Sequence, residues 1–595
     1  MSNTEKPELA GTNWIFLLVG LLQGLALWWI TAPLLGGALL SNQPAIWTAL
    51  FFVILAIPLA FYWTGPAEIS GKRRVFIIVV VGVVFTIIGW HLGGTLNEPV
   101  TRRSPVSNLL RGGSETLIFA AGIAGIILVH LLSCLGTNSY QRYFQLTWHN
   151  AIASKLAIAF SIVLWTVLLA GSTLLMTLNI SIVSDLLSER WFNIPVTSTA
   201  IAFGYLLAFR WQWMTTAVRR FWLILTASLL PLTLAFGIAW VVALAARGLN
   251  ESFSSGINSW VLLWFLALSV YFLNAAWQDG DEVSFRSNLL RKFVRWSWLT
   301  VIVITAAVGW ALAQRIGQYG WTVSRGWGVV ISIAAGLYAV GYALPGTGTR
   351  WMPWVGRVNI YVAVILCASL LLLVSPVGDI RKLVVNNQVS RLLSGAIEPE
   401  KFSYKYIHRK TGKYGVDALT ALADGSLDGV PSKVIDPARD ALKNIYSTNY
   451  WGTNATEESV ISEAESAIEA WTDNGRIDPV FLKFLYNGEN IRYLLSMCTD
   501  VKHQCALWTQ DLDNDSNAET LLIRAHTTSR RVTLNIFEST EQSYQQVATA
   551  SQPRGQALGF DEWRNLVKEG PVPTSAPRWQ ILNVPGSDIR LMPRQ

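Results

Sequence analysis

Four acidic residues near the end of the chain have the spacing of a metal-binding loop. Asp511, Asp513, Asp515 and Glu519 occupy positions one, three, five and nine of the segment DLDNDSNAE. Calcium takes oxygen ligands, and carboxylates at alternate positions of one loop can surround the ion. The segment is not an EF-hand, because Ser516 stands where that motif has its glycine. The spacing predicts a weak calcium site between two strands, and a solvated β-turn is the alternative.

Two cysteines lie close to this loop. Cys498 and Cys505 are separated by six residues, and they are the only cysteines in the last third of the chain. Two cysteines cannot complete a tetrahedral zinc site, and His503 is the only further ligand nearby. We therefore predict a disulfide between them, which requires an oxidising compartment. Cys134 and Cys367 lie in apolar segments, where small core residues are expected.

Two further loops carry candidate binding residues at the predicted membrane surface. These residues are Asp279, Asp281 and Glu282 in the first loop, and Tyr319, Trp321 and Arg325 in the second. Arginine offers bidentate donors, so an aromatic and arginine turn could bind a lipid phosphate or a sugar. An interfacial turn anchored by aromatic residues is the alternative. A membrane enzyme would need the acidic residues of the first loop to converge on the arginine and tryptophan of the second.

The composition indicates which elements position these residues. The chain has 595 residues, of which 52% are hydrophobic and 14% charged, unlike a soluble protein of this size. The apolar runs lie within residues 1–376, whereas 377–595 have the composition of a water-soluble chain. The net charge of +8 resides in short loops between apolar segments, and the soluble part has no basic stripe. We therefore expect no nucleic-acid partner.

Eleven apolar segments have the length, about 17 to 25 residues, that a helix needs to cross a bilayer. They are 14–31, 45–64, 75–95, 116–134, 156–180, 193–209, 221–245, 259–277, 296–313, 327–345 and 358–376. The first is predicted to be a retained span and not a cleaved signal, because a small-residue cleavage site is absent. The predicted fold is an α-helical integral membrane bundle of about 11 spans followed by a soluble α+β domain.

The soluble domain, 377–595, divides by pattern into two parts. Residues 377–500 are predicted to be mainly helical, including one helix over TEESVISEAESAIEAW. Residues 501–595 are predicted to be mainly strands, ALWTQDL, ETLLIRAH, RRVTLNIFES and SYQQVAT, because they are rich in β-branched and aromatic residues. One helix over GFDEWRNLVKEG and a final hairpin complete this part. The calcium loop lies between the first two of these strands.

Lysine and arginine in the loops predict the orientation of the bundle. With a cytoplasmic N-terminus, inside segments hold 15 of these residues and outside loops hold seven. Because 11 is odd, the C-terminal domain is then periplasmic, in the compartment where a disulfide can form. One span more or fewer would reverse this prediction.

The predicted spans contain no Asp, Glu, Lys or Arg, which disfavours a carboxylate-coupled transporter. His91 and His130 lie toward span ends, where an interfacial or backbone-bonded histidine is expected. Neutral polar residues such as Thr166 and Asn274 could line a pore or join helices to one another.

The segments QYGWTVSR and NAAWQDG, together with SRLLSGAIEPEKFSYKYIHRKTGKYGVDALTALA from Ser390 to Ala423, resemble a bacterial membrane family called domain of unknown function 4153. The resemblance covers roughly the first 425 residues. It implies a multi-pass inner-membrane protein and carries no established activity or catalytic residues.

Three functional hypotheses follow. The first is a non-catalytic inner-membrane protein whose periplasmic domain serves envelope binding, sensing or scaffolding, with membrane lipids and an envelope protein as partners. The second is a transporter or channel for a small or lipid-like solute. The third is a membrane enzyme acting on a lipid-linked substrate, although the residues favour no enzyme.

Overall fold

The computed structural model describes two compact units, Met1–Leu442 and Lys443–Gln595. It describes all residues except 1–8, 33–42, 66–68, 97–112, 137–139, 179, 249–258, 281–283, 286, 346–350, 428–429, 444–456, 472–475, 488–490, 500–502, 514, 527–531, 541–542, 552–557, 573–581, 585–586 and 590–595.

Within its described residues, the first unit contains eleven helices that are long and apolar enough to cross a membrane, which confirms the predicted bundle. They are α1 (Leu9–Thr31), α2 (Pro44–Thr64), α3 (Gly71–Gly94), α4 (Ser114–Cys134), α5 (Tyr140–Met176), α7 (Arg190–Arg210), α8 (Gln212–Arg247), α9 (Ser259–Trp277), α10 (Asn288–Tyr319), α11 (Val323–Ala343) and α12 (Val355–Val374). A short helix, α6 (Ile182–Ser188), precedes α7.

Three of these helices are more than ten residues longer than the predicted spans. α5, α8 and α10 have 37, 36 and 32 residues. At 1.5 Å per residue they are about 48 to 55 Å long, whereas the hydrocarbon core of a bilayer is about 30 Å thick. Their additional first turns carry lysines and arginines, which the prediction left outside the spans. Each of these helices therefore begins in a charged segment beyond the apolar layer.

Two apolar cores hold the bundle together. Side chains of α1 to α4 and α7 form most of the first core, which includes Trp47, Phe85 and Tyr205. Side chains of α8 to α12 form most of the second, which includes Trp298 and Tyr342. Helix α12 packs against both α4 and α11, so it joins the two halves.

The first unit continues beyond the last candidate span. Helices α13 (Ile380–Leu393), α14 (Tyr404–Lys410), α15 (Lys413–Ala423) and α16 (Ser432–Lys443) follow α12. They share an apolar core that includes Val385, Ile407, Leu419 and Val434. Compactness thus divides the chain after Leu442, whereas the predicted boundary at 376/377 marks the end of the apolar segments and stays a prediction.

The second unit is an α+β module, as predicted. It consists of α17 (Glu457–Ala467), β1 (Ile468–Ala470), α18 (Pro479–Asn487), α19 (Arg492–Cys498), β2 (His503–Gln510), β3 (Glu519–His526), β4 (Val532–Ser539), β5 (Tyr544–Ser551), α20 (Phe560–Lys568), β6 (Leu582–Val584) and β7 (Ser587–Ile589). Strands β1 to β5 form one sheet in sequence order, and β6 pairs with β7. Leu507 and Leu522 pack toward α17 to α19, whereas Trp508 and Leu521 pack toward α20.

One part of the helical prediction for this unit is wrong. The predicted helix over TEESVISEAESAIEAW ends at Ala467, and the next three residues form β1, which pairs in parallel with β2. The pairing places Ile468 opposite Cys505, and the Trp471 amide donates to the Leu507 carbonyl at 2.7 Å. A non-local partner for the backbone thus overrides the local helical preference of this segment.

Candidate functional site

The two ends of the bundle differ in how they use charge. At one end, which we call the arginine end, α3 begins beside the last turns of α2 and α4. Arg73 Nη2 donates to the Leu132 carbonyl at 2.9 Å, and Arg74 Nη2 lies 3.4 Å from the Thr64 carbonyl. Cations at helix C-termini satisfy free carbonyls and complement the helix dipole. The arginine end therefore stabilises the ends of two neighbouring helices.

At the opposite end, which we call the docking end, α3 finishes against the start of α13. Asp379 caps α13 by accepting from the Arg381 amide at 2.8 Å. Its Oδ2 atom lies 2.7 Å from His91 Nε2 and 2.7 Å from Arg381 Nη2. The same Nη2 donates to Thr95 Oγ1 at 2.6 Å. We call these four side chains the junction cluster, and they connect α3 directly to the helices that follow the last span.

The junction cluster is almost completely buried. The side chains of Asp379 and Arg381 are both 0% exposed, and that of His91 is 7% exposed. Burial by itself raises the pKa of Asp379, but the hydrogen bonds from His91 and Arg381 outweigh burial and lower the pKa overall. The carboxylate is therefore charged at neutral pH. Removing one partner of such a buried pair is strongly destabilising, because the other charge stays buried.

One donor of the cluster, Arg381 Nη1, has no hydrogen-bond partner among the described residues. Arg381 Nη1 is buried, and a Cβ atom at Gly412 would lie only 3.0 Å from it. Gly412 also has φ of +63°, a conformation that favours glycine. The Tyr414 ring centroid lies 5.7 Å from the Arg381 guanidinium carbon. The turn before α15 thus closes the cluster by packing against the arginine instead of hydrogen bonding to it.

Further contacts hold the same turn to the docking end. The Lys413 amide donates to the Thr95 carbonyl at 3.0 Å. Lys410 Nζ lies 2.6 Å from Glu115 Oε1 at the start of α4, in an ion pair that is partly exposed. A Cβ atom at Gly113, where φ is +80°, would meet the Lys410 carbonyl oxygen at 2.1 Å. The segment between α14 and α15 therefore packs tightly on the start of α4.

The predicted lipid-binding turn, which contains Tyr319, Trp321 and Arg325, also lies at the docking end. Its backbone conformation depends on Gly320, whose φ of +74° and ψ of −175° are essentially restricted to glycine. Thr322 caps α11 by accepting from the Arg325 amide at 3.2 Å. Arg325 Nη1 donates back to the Gly320 carbonyl at 2.6 Å, and its guanidinium lies over the Tyr319 ring. These residues build the turn itself.

Side chains of α13 and α14 form hydrogen bonds with most of the peptide groups of this turn. Gln388 Nε2 donates to the carbonyls of Trp321 and Tyr319, at 2.7 and 3.1 Å. Asn387 Oδ1 accepts from the Trp321 amide at 3.0 Å, and the Tyr406 hydroxyl oxygen accepts from the Val323 amide at 2.8 Å. The geometry gives the turn a role in docking α13. Binding of a phosphate or sugar by Arg325 stays a prediction.

The acidic loop that follows α9 lies at the other end of the bundle. Asp279 Oδ2 accepts from Gln141 Nε2 at 3.3 Å, in front of the N-terminus of α10, whereas Tyr319 ends the same helix. A helix of 32 residues separates the two loops by about 48 Å. Asp279 therefore does not converge on Trp321 and Arg325, as the enzyme hypothesis requires. Asp281 and Glu282 lie outside the described residues.

The contacts at the docking end agree with eleven crossings. Thr95, the Gly320 turn and Asp379 all meet at one end of the bundle. Six candidate spans lie between Thr95 and the Gly320 turn, and two lie between the Gly320 turn and Asp379. Both numbers are even, as alternating crossings require. The structure thus places these three segments at the same end of the bundle.

Polar side chains within the spans form internal hydrogen-bonded sets. His130 Nδ1 bonds to the Ile126 carbonyl at 2.6 Å and Nε2 lies 3.1 Å from Asn150 Nδ2, so the imidazole is neutral in this arrangement. In the second half, the Asn359 amide donates to Asn274 Oδ1 at 2.6 Å, and Tyr342 bonds to both asparagines. These sets join neighbouring helices, which favours the structural role over the pore role for Asn274.

The acidic loop of the second unit connects β2 to β3. Carboxylate oxygens of Asp511, Asp513 and Glu519 lie within 4.8 Å of one another. Glu519 is buried and accepts from the Leu512 amide at 2.7 Å. Asp515 instead accepts from the Asn517 amide at 2.7 Å, outside this group. Three carboxylates form a suitable oxygen donor set for calcium, and calcium binding here stays a prediction.

The two cysteines beside this loop are bonded. The sulfurs of Cys498, at the end of α19, and Cys505, in β2, lie 2.03 Å apart. Both residues are buried in the core between the helices and the sheet. The predicted pairing is therefore present in the structure.

The sequence does not predict the junction cluster. From its position, His91 is expected to be an interfacial or backbone-bonded histidine, and Asp379 has no predicted role. One signal was present, because a histidine at the end of an apolar helix is costly unless it has a partner. Asp379 and Arg381 are the first Asp and Arg after the last span, but only the folded structure identifies their pairing with His91.

Comparison with known proteins identifies the family. A search of curated proteins and a search of solved structures returned no match. The family model described as "Domain of unknown function (DUF4153)" matches residues 24–424. This range contains the junction cluster, helices α13 to α15 and all of the bundle except its start. The chain therefore belongs to the DUF4153 family.

Proposed function

We propose that this protein is a non-catalytic multi-pass protein of the bacterial inner membrane that presents a periplasmic domain for binding, sensing or scaffolding in the cell envelope. The observation that carries this proposal is the junction cluster. It attaches α13 to α15 to one end of the bundle through a buried aspartate that both His91 and Arg381 contact.

A rigid attachment suits a scaffold. A flexible tether would only keep a domain near the membrane, whereas a buried ion pair with directed hydrogen bonds fixes one orientation of the attached helices. The Gly320 turn adds neutral hydrogen bonds from Gln388 and Asn387 at a separate position on α13. Two independent points of attachment define how this helix lies on the bundle.

The distribution of cations supports the proposed orientation. Arginine and lysine residues of the inside loops, as counted from the sequence, lie at the arginine end wherever the structure describes them. They include Lys72, Arg73, Arg74, Arg142, Arg210, Arg291 and Arg357. Loops rich in these residues favour the cytoplasm, so the docking end and the second unit are periplasmic in this proposal.

Site-specific photocrosslinking in cells tests the binding role. A photoreactive amino acid at Val480, which is 50% exposed on α18, should form a discrete adduct with an envelope macromolecule. The same amino acid at Trp213, which is 74% exposed at the arginine end, serves as the matched control and should not form that adduct. An identical pattern at the two positions, or none at Val480, would contradict the proposed role.

A further inference from the structure

An apolar slot opens on the surface of the bundle between α2 and α4. Its fourteen lining residues are all apolar, aromatic or glycine, and its volume is about 180 Å³. Val81 and Phe85 of α3 form its floor, and Gly122 and Gly125 widen it on the α4 side. Leu55 and Ile126 stand at its mouth and are 40% and 42% exposed. The slot thus opens toward the hydrocarbon of the bilayer and offers no hydrogen bond to a polar ligand.

Cations lie at one end of this slot. Arg74 precedes Val81 by seven residues and Phe85 by eleven, so the three share one face of α3. Seven residues of helix place Arg74 about 10 Å beyond Val81, toward the arginine end. Arg74 bonds to carbonyls at the end of α2, and Arg73 bonds to carbonyls at the end of α4. The two helices that form the walls of the slot are therefore each capped by one of these arginines.

These arginines keep donors available for a ligand. Within the described residues, both side chains make their carbonyl contacts through Nη2, and neither side chain is fully buried. Lys72 adds a third consecutive cation. Ser70 caps the first turn of α3 by accepting from the Arg73 amide at 3.4 Å, and a Cβ atom at Gly71 would meet nothing within 4 Å. An anion has both access and donors at this position.

We propose that the slot binds one anionic phospholipid, with an acyl chain between α2 and α4 and its phosphate at the start of α3 beside Lys72, Arg73 and Arg74. The apolar lining matches the chain. Lys72, Arg73 and Arg74, together with Glu68 of the same loop, have a net charge of +2, which exceeds the single negative charge of a phosphodiester and favours a headgroup with net negative charge. The site lies at the arginine end, and it is independent of the proposed role of the periplasmic domain.

Native mass spectrometry of the full-length protein tests this site. Protein stripped of lipid and then given dioleoyl phosphatidylglycerol should retain one molecule, and it should retain phosphatidylcholine about tenfold less, the ratio expected for one lost charged contact. Gly122→Leu should abolish retention by filling the slot. Gly171→Leu is the matched control, because Gly171 is also an open glycine on a span, and it should retain the lipid.

A second pair of variants tests the headgroup. Lys72→Gln combined with Arg74→Gln should lower retention of phosphatidylglycerol about tenfold. Arg219→Gln combined with Arg220→Gln removes two cations from the start of α8, at the same end of the bundle, and should leave retention unchanged. Equal retention of both lipids, or equal behaviour of each variant and its control, would overturn the proposal.

Discussion

The two ends of the bundle contain the same kinds of charged residues but use them differently. At the docking end, Arg381 is fully buried and bonded to Asp379 and Thr95, and His91 bonds to the same carboxylate. At the arginine end, the hydrogen bonds of the Arg73 and Arg74 side chains to described residues all go to backbone carbonyls. The docking end thus uses buried charge to hold α13 on the bundle, whereas we propose that the cations of the arginine end meet the membrane surface.

The largest expected effect comes from breaking the junction cluster. Asp379→Asn removes the charge that compensates Arg381, and leaving that cation buried should destabilise the first unit by about 3 to 5 kcal/mol. Thermal unfolding of the purified protein should show the loss, and hydrogen exchange should increase in α13 to α15. Asp417→Asn, an exposed aspartate on α15, is the control and should change neither quantity.

The same carboxylate also predicts the direction of a pH effect. Because the folded protein lowers the pKa of Asp379, its contribution is complete above the ordinary carboxyl pKa of about 4 and is lost as the pH falls below it. Unfolding measured as a function of pH should therefore show an acid-side loss that is absent in Asp379→Asn. An identical pH profile for the variant and the wild type would contradict the assigned role.

The oxidation state of the Cys498–Cys505 pair indicates the compartment in which the second unit lies. The disulfide closes a short loop between cysteines that are seven positions apart. Replacing Cys498 and Cys505 by alanine should therefore lower the free energy of unfolding of the second unit by about 2 to 3 kcal/mol. Limited proteolysis of the whole protein should then cleave this unit sooner. Protein alkylated inside living cells should carry no label at either cysteine. Labelling of both would place the unit in a reducing compartment and contradict the orientation.

A smaller effect is expected at the Gly320 turn. Gly320→Ala introduces strain at a positive φ and places a Cβ atom 2.7 Å from Gln388 Nε2, so a loss of about 1 to 3 kcal/mol is expected. Gly317→Ala lies one turn earlier in α10, where the added Cβ atom meets nothing within 4 Å, and should be neutral or slightly stabilising. Thermal unfolding of the two variants separates the turn from a general effect of glycine replacement.

The smallest predicted effect concerns calcium. At ten times its dissociation constant, calcium should stabilise the second unit by about 1.4 kcal/mol. Proteolysis of this unit should slow with millimolar calcium, a weak affinity that suits extracellular-type sites. The slowing should be absent in Asp513→Asn, whereas Asp561→Asn, an exposed aspartate in α20, should keep it. If calcium protects none of these proteins, the acidic loop is a solvated turn.

The sequence predicted the elements well and their long-range partners poorly. All eleven spans were predictable because about 20 consecutive apolar residues are an unambiguous local signal. The strands beside Cys505 were predictable from their β-branched residues. The contact between His91 and Asp379 and the parallel pairing of β1 with β2 were not predictable, because each of these contacts joins segments that are far apart in the chain. Asp379 lies 288 residues from His91, and no local pattern encodes that contact.

Sided cysteine labelling tests the central claim, that the docking end is extracytoplasmic and the arginine end cytoplasmic. In a Cys134→Ala background, one cysteine would replace Val377, which is 88% exposed at the docking end, and another would replace exposed Gln212 at the arginine end. With an intact inner membrane, an impermeant maleimide should label V377C, and it should label Q212C only after permeabilisation. The reverse pattern, or labelling of both before permeabilisation, would contradict the account.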